Sequence, residues 1–266
     1  MDILKRSLAP VTEKAWEEID EQARQVLTGM LSARKFVDVE GPKGWNYAAV
    51  PLGRLDVSED SSEKGVDYGV NKVLPLVETR AFFEIDLWEL DNIERGALDI
   101  DLSDLEAAAK KMAAFEENAI YNGFQQGHIK GLKEASDHKP LEISGDPEKI
   151  PAAVTNGLIK LADESIEGPY YLIVTPELWV KIASYSRGYP LKAQLKELLG
   201  GNVIMSPFVN DAFLVTGRGG DFQLVLGQDL SIGFHSADKK KARLFFTESF
   251  TFRVIDPAAI VAMNIK

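Results

Sequence analysis

The 266 residues contain no cysteine. That excludes disulfides, zinc–thiolate centres and thiol nucleophiles, and it fits a reducing compartment. Positive charge is also short: 30 Lys and Arg stand against 41 Asp and Glu, a net charge of −11. Phosphate backbones want a basic face, so nucleic acid is not expected as the main partner. No apolar run approaches the roughly 18 residues of a membrane span. The opening "MDILKRSLAP" lacks the apolar stretch of a signal peptide. A cytoplasmic chain with no membrane partner is expected. Histidine is scarce too. His128, His138 and His235 include no pair at the i, i+4 spacing of a helical metal site. There is no GxSxG elbow, phosphate loop or dinucleotide fingerprint, so no catalytic residue is assigned.

Apolar residues make up 45% of the chain, enough for a sizeable core in one large domain or two small ones. Acidic residues cluster in "DLWELDNIERG", residues 86–96, where Asp86, Glu89, Asp91 and Glu94 surround Trp88. A hard cation accepts such oxygens, but the spacing follows no calcium-loop pattern. Among 41 acidic residues such clusters arise by chance, and charge runs usually mark solvated faces. No metal site is assigned.

Periodicity outlines an α+β chain. Residues 12–33 read as a helix capped by Thr12, with Trp16, Ile19, Ala23, Val26 and Met30 on one stripe. "SDLE" at 103–106 reads as a capping box opening a helix to Gly123. A further helix is expected over 151–163, with Val154, Leu158 and Leu161 inward. Residues 46–85 read as a long hairpin around the polar middle "SEDSSEKGVDYG". An isolated hairpin is marginal in water and needs something to lie on. In the last third, "GPYYLIVTPELW" is a strand leading into a helix capped by Thr175. "GRGG" is expected to turn one strand into its hairpin partner, and "LFFTESFTFRVID" alternates as a strand.

Five separated stretches together resemble the encapsulin shell proteins, the linocin family: "LKRSLAPVTEKAWEEID", "RKFVDVEGPKGWNYAAVPLG", "LWELDNIERG", "GGDFQLVLGQDLSIGF" and "ESFTFRVIDPAAI". The resemblance implies the major-capsid fold of tailed bacteriophages. Its parts would be an N-terminal arm and helix with the start of a peripheral domain (1–45) and an extended loop (46–85). A peripheral domain with a spine helix (86–139), an axial domain (140–225) and return strands into the peripheral domain (226–266) would follow. It implies a closed icosahedral shell of about sixty copies, not an enzyme. The shell would enclose a cargo enzyme bearing a C-terminal targeting peptide, either a ferritin-like protein or a dye-decolorising peroxidase. Arg34, Asp38, Leu230 and Ile232 would form the docking groove. Tyr185, Ser186, Arg187, Gly188 and Tyr189 would form the fivefold pore loop. No cofactor is required, although Arg80 and Trp88 match positions where some relatives carry flavin. The alternatives are a phage or prophage capsid protein and a flavin-binding enzyme.

Overall fold

A computed structural model describes residues 2–57, 62–63 and 65–266. Two strands form its frame. β11 (Phe222–Ala237) and β12 (Lys241–Val254) run antiparallel along most of their length. β6 (Val77–Asp86) pairs with the outer edge of β12, and the short β1 (Asp38–Glu40) pairs in parallel with the start of β11. The order is β1-β11-β12-β6. β1 reaches only Gln223–Val225, so the far half of β11 has strand pairing on one side alone. The β11–β12 register shifts repeatedly between Leu226 and Ser231. A Cβ at Gly227 would lie 2.3 Å from Ser249 Oγ, so glycine is required where the irregular stretch begins.

Two helices cover one face of this sheet. α1 (Glu13–Met30) starts at Thr12, whose hydroxyl accepts the Ala15 amide at 3.2 Å. Its buried seam is Ala15, Ile19, Ala23 and Leu27, shifted from the expected stripe. Trp16 instead lies under the Arg6 guanidinium, 3.9 Å from the ring centroid. α3 (Ser103–Asn122) packs on α1 and β6. The expected capping box does not form. Leu102 is the cap residue, and Asp101 takes the Ser103 amide at 3.0 Å. Hydrogen bonds from Ser103 hold Asp101 below the usual carboxylate range. Glu106 is diverted to the Gln22 side-chain amide at 2.7 Å.

A second, five-stranded sheet has the order β7-β13-β10-β8-β9. Its strands are β7 (Leu141–Ile143), β8 (Tyr170–Val174), β9 (Val203–Met205), β10 (Ala212–Thr216) and β13 (Ile260–Ile265). The helices joined to it are α5 (Ile150–Asp163), α6 (Pro176–Ser184) and α7 (Leu191–Leu199), with the one-turn α4 (Leu132–Ala135) near β13. Val154 and Leu161 point inward from α5 while Leu158 is only partly buried. Thr175 caps α6 by accepting the Leu178 amide at 3.3 Å.

Three further expectations are corrected. β13 lies in the second sheet, between β10 and β7, so residues 226–266 do not all return to the first. The "GRGG" turn makes no hairpin, because β10 and β11 belong to different sheets. Arg218 braces this crossing with two bonds to Asp221, at 2.9 and 3.0 Å, and one to Asp256 at 3.1 Å. The extended loop is also shorter than 46–85. β2 (Ala49–Asp56) and β5 (Val70–Pro75) are its arms, with β3 (Ser62–Glu63) and β4 (Val66–Asp67) beyond them, while β6 already belongs to the first sheet. The polar middle of the hairpin lies partly outside the described residues. "DLWELDNIERG" becomes α2 (Leu87–Arg95), capped by Asp86, which accepts the Trp88 amide at 2.8 Å.

Candidate functional site: a groove between α1 and β11

The turn after α1 is fixed from below by α3. Buried Glu117 accepts the Ala33 amide at 2.8 Å and the Ser32 hydroxyl. Ser32 also meets Tyr121 Oη at 2.8 Å. Burial pushes Glu117 up to about 7, against the opposing bonds from Ser32 and Ala33. Burial likewise raises the Tyr121 hydroxyl well above its ordinary value.

With the turn held, the next residue, Arg34, is directed at three carboxylates. Its Nε and Nη2 bond both oxygens of Glu116, at 2.9 and 2.5 Å. Nη2 also reaches Glu248 at 2.8 Å, and Nη1 reaches Asp229 at 2.9 Å. Burial alone would lower the Arg34 pKa, but the bonds and charge of Glu116, helped by Glu248 and Asp229, raise it further. Arg34 is therefore a permanent cation tying α3, β12 and β11 together.

Above this cluster opens a groove of about 410 Å³. Leu27 and Leu31 form one wall, Leu230 the other, and Ile232 and Phe246 the floor. Arg6, Asp20, Arg24, Arg34 and Asp229 supply its charge, and Arg6 pairs with Asp20 at 2.7 Å. Polar and charged residues line the groove as often as apolar ones, which suits a short extended ligand that offers both kinds of contact.

Of the four expected docking residues, three converge here. Leu230 is half-buried and lines the wall. Ile232 lines the groove too, but at 3% exposure it is core. Asp38 is elsewhere: its carboxylate accepts the Gly220 amide at 2.6 Å. β1 pairs Asp38 with Gln223, seven residues before Leu230, roughly 20 Å along the strand.

The pore-loop residues share one segment. Tyr185 and Arg187 both reach Glu148 Oε1, at 2.7 and 3.1 Å. Ser186 bridges to Pro190, Gly188 takes φ +81°, and Tyr189 donates to Glu197 at 2.5 Å. Arg187 keeps 80% of its side chain exposed despite its ion pair.

Arg80 and Trp88 are not brought together. Arg80 faces Thr247 across the strands, pairs with Glu78 at 3.0 Å and lies over Phe245. Trp88 lies in the first turn of α2, is 70% exposed and has Arg95 over its ring. Six residue steps along β6, about 20 Å, separate Arg80 from Asp86 at the foot of α2. Within one chain the two residues are held apart, one on β6 and one on α2.

Sequence reasoning missed Glu116, Glu117, Asp229 and Glu248. Glu248 carried a signal: it occupies the face of β12 otherwise filled by Leu244, Phe246, Phe250 and Phe252.

Solved structures with this architecture build capsids. The virus-like particle subunit of Pyrococcus furiosus superposes with a TM-score of 0.66 at 19% identity, covering 93% of this chain and 98% of that one. The capsid protein of an empty GTA particle gives 0.57 at 16% identity, covering 88% and 89%. The fold is therefore the α+β class of tailed-phage capsid subunits. A family model described as "Encapsulating protein for peroxidase" matches residues 1–251. The type 1 encapsulin shell protein of Mycolicibacterium paratuberculosis is 37% identical over 99% of this chain and 100% of its own. That of Brevibacterium linens is 34% identical over the full length of both. The chain belongs to the encapsulin shell family, and its role is structural rather than enzymatic.

Proposed function

We propose that this subunit assembles in the cytoplasm into a closed icosahedral shell of about sixty copies and holds a cargo enzyme by a targeting peptide docked in the α1–β11 groove. The observation that carries this is the groove itself. An open trough of mixed apolar and charged lining lies beside β11 where, among the described residues, that strand has no strand neighbour on one side. There the Leu4 carbonyl accepts the Phe234 amide at 2.7 Å, and Arg34 and Asp229 at the groove's edge are tied to one another. An extended peptide can place apolar side chains on Leu27, Leu31 and Leu230. The family's description names a peroxidase as what is enclosed. A dye-decolorising peroxidase is the first cargo class to seek, and a ferritin-like iron oxidase the second.

So small a groove buries little area, and each peptide binds weakly, in about the micromolar range or poorer. An oligomeric cargo presenting several peptides is still retained, because later dockings are intramolecular. The test is expression in the native host, followed by sizing, electron microscopy and identification of co-purifying proteins. Large hollow particles containing one dominant enzyme are expected. Monomers or dimers under mild conditions would overturn the shell reading. Particles that never retain a protein, even with the native genes supplied, would overturn the docking reading.

A further inference from the structure

Glu116 and Glu248 are 0% and 1% exposed, and both bond the same nitrogen, Arg34 Nη2. The shared nitrogen draws the two carboxyl groups together, and the Glu116 charge faces Glu248. The charged groups facing this pair are Arg34 from the turn after α1 and Asp229 from β11. From β6 comes only the Thr79 hydroxyl, on the Glu248 carbonyl. Glu117, the next residue of α3, is occupied with Ser32 and Ala33. The cluster thus holds three carboxylates and one cation.

The second oxygen of Glu248 has no hydrogen-bond partner among the described residues. If Glu248 were ionised, that oxygen would be charged, dry and bare. If it is protonated, the carboxyl donates to Glu116 and the two side chains share one negative charge, which Arg34 neutralises. Burial, with the adjacent Glu116 charge, raises Glu248 well above the usual carboxylate range.

Arg34 carries this state into the groove. Its Nη1 bonds Asp229 Oδ1 at 2.9 Å, and the same oxygen accepts the Leu230 amide at 2.8 Å. The surrounding stretch lies where the β11–β12 register is broken. Gln228 still donates its amide to Ser249 Oγ at 3.2 Å and Ser231 still faces Thr247, but between them Asp229 and Leu230 have no register partner on β12. The remaining side-chain ties are local, Ser231 to the Asp229 carbonyl and Gln228 to Ser231. Leu230 is thus positioned by a chain that runs from the carboxylate pair through Arg34 and Asp229.

We propose that one proton shared by Glu116 and Glu248 holds the groove in its binding shape, and that losing it at alkaline pH frees the wall at Leu230. The inference rests on the groove being the docking site. With the proton gone, two buried carboxylates repel each other and draw the guanidinium inward. Asp229 loses its partner, and the Leu230 amide loses a fixed acceptor. Docking becomes proton-linked, tight near neutrality and weak above it.

The test uses assembled shells without cargo, so it is independent of whether the groove docks anything. Infrared spectroscopy reads the protonated-carboxyl C=O stretch during an alkaline titration of wild type, Glu248→Gln and Glu117→Gln. Hydrogen exchange of the fragment containing Leu230, corrected for intrinsic pH dependence, is followed over the same range. A wild-type band that titrates away, is missing in Glu248→Gln and survives in Glu117→Gln is expected. Protection at Leu230 should fall about tenfold as the band disappears, and should stay level in Glu248→Gln. If Glu248→Gln does not assemble, Glu116→Gln replaces it, with the same expected loss of band and of pH response. An identical band in wild type and the Gln variant overturns the proposal. So does Leu230 protection that ignores the titration or changes equally in both. Loading of Leu230→Asp shells separately tests the docking reading.

Discussion

Arg34 grips both oxygens of Glu116 in a two-point bond from the turn after α1 to the middle of α3. Glu116 has no solvent exposure, so removing the guanidinium strands its charge, and Glu248 with it. Breaking one partner from a buried pair costs about 3–5 kcal/mol. Arg34→Ala is expected to lower thermal stability sharply and reduce the yield of assembled particles. Arg34→Lys should rescue only part of it, since one ammonium cannot reproduce the fork. Thermal unfolding of purified shells measures both.

Glu117 gives the fold a pH slope. Its carboxyl titrates near 4.5 when unfolded and at about 7 in the fold, because burial favours the neutral form. The native state then holds the proton more tightly. Its stabilising effect is complete below the unfolded value and is lost as pH rises from about 4.5 to 7. At about 1.4 kcal/mol per tenfold change in proton affinity, the loss is on the order of 3 kcal/mol. Melting temperature should decline across that window in wild type and much less in Glu117→Gln. A wild-type curve that rises there would contradict the assignment.

The hairpin exposes Leu55, Val57, Val70 and Val73, each more than half accessible. Charged or polar neighbours would suffice to solvate such a loop, so a row of apolar side chains points to burial against other subunits. Leu55→Asp together with Val73→Asp should leave a folded subunit that elutes as small oligomers on a sizing column.

Five copies of the 185–190 segment around a vertex would form a ring. Arg187 is tied to Glu148, but most of its side chain remains in solvent. An arginine ring disfavours cations. Arg187→Ala shells should therefore admit a cation faster than wild type, read by quenching of an enclosed dye. Equal rates would remove Arg187 as a gate.

Local chemistry was legible in the sequence wherever one residue decided the outcome. Thr12 and Thr175 cap their helices as read, because a hydroxyl beside the first turn has a single obvious partner. The capping box at Ser103 failed because Asp101 competed for the same amide and Gln22, distant in sequence, took Glu106. "GRGG" misled for a similar reason: turn residues reverse a chain but do not say which sheet receives it. The groove was half legible. Leu230 and Ile232 followed from the resemblance, whereas the Arg34 cluster joins residues up to 214 positions apart, which no local pattern encodes.

Leu230 and Ile232 separate docking from folding. They lie two apart, yet Leu230 borders the opening while Ile232 is 3% exposed against Phe246 in the core under α1. A charge at a buried apolar site removes packing and adds an unpaired ion, a cost that domains of ordinary stability do not survive. Ile232→Asp is expected to give insoluble or unassembled protein, uninformative about cargo. Leu230→Asp places its charge at the groove wall, beside water and Asp229, and the subunit should fold and assemble. It should also repel an apolar peptide, leaving particles of wild-type size with little cargo. Co-expression of each variant with the native cargo, scored by particle diameter and by cargo per shell, measures both effects. Fully loaded Leu230→Asp shells would remove this wall from the docking site, and well-formed Ile232→Asp shells would show that the residue is not core.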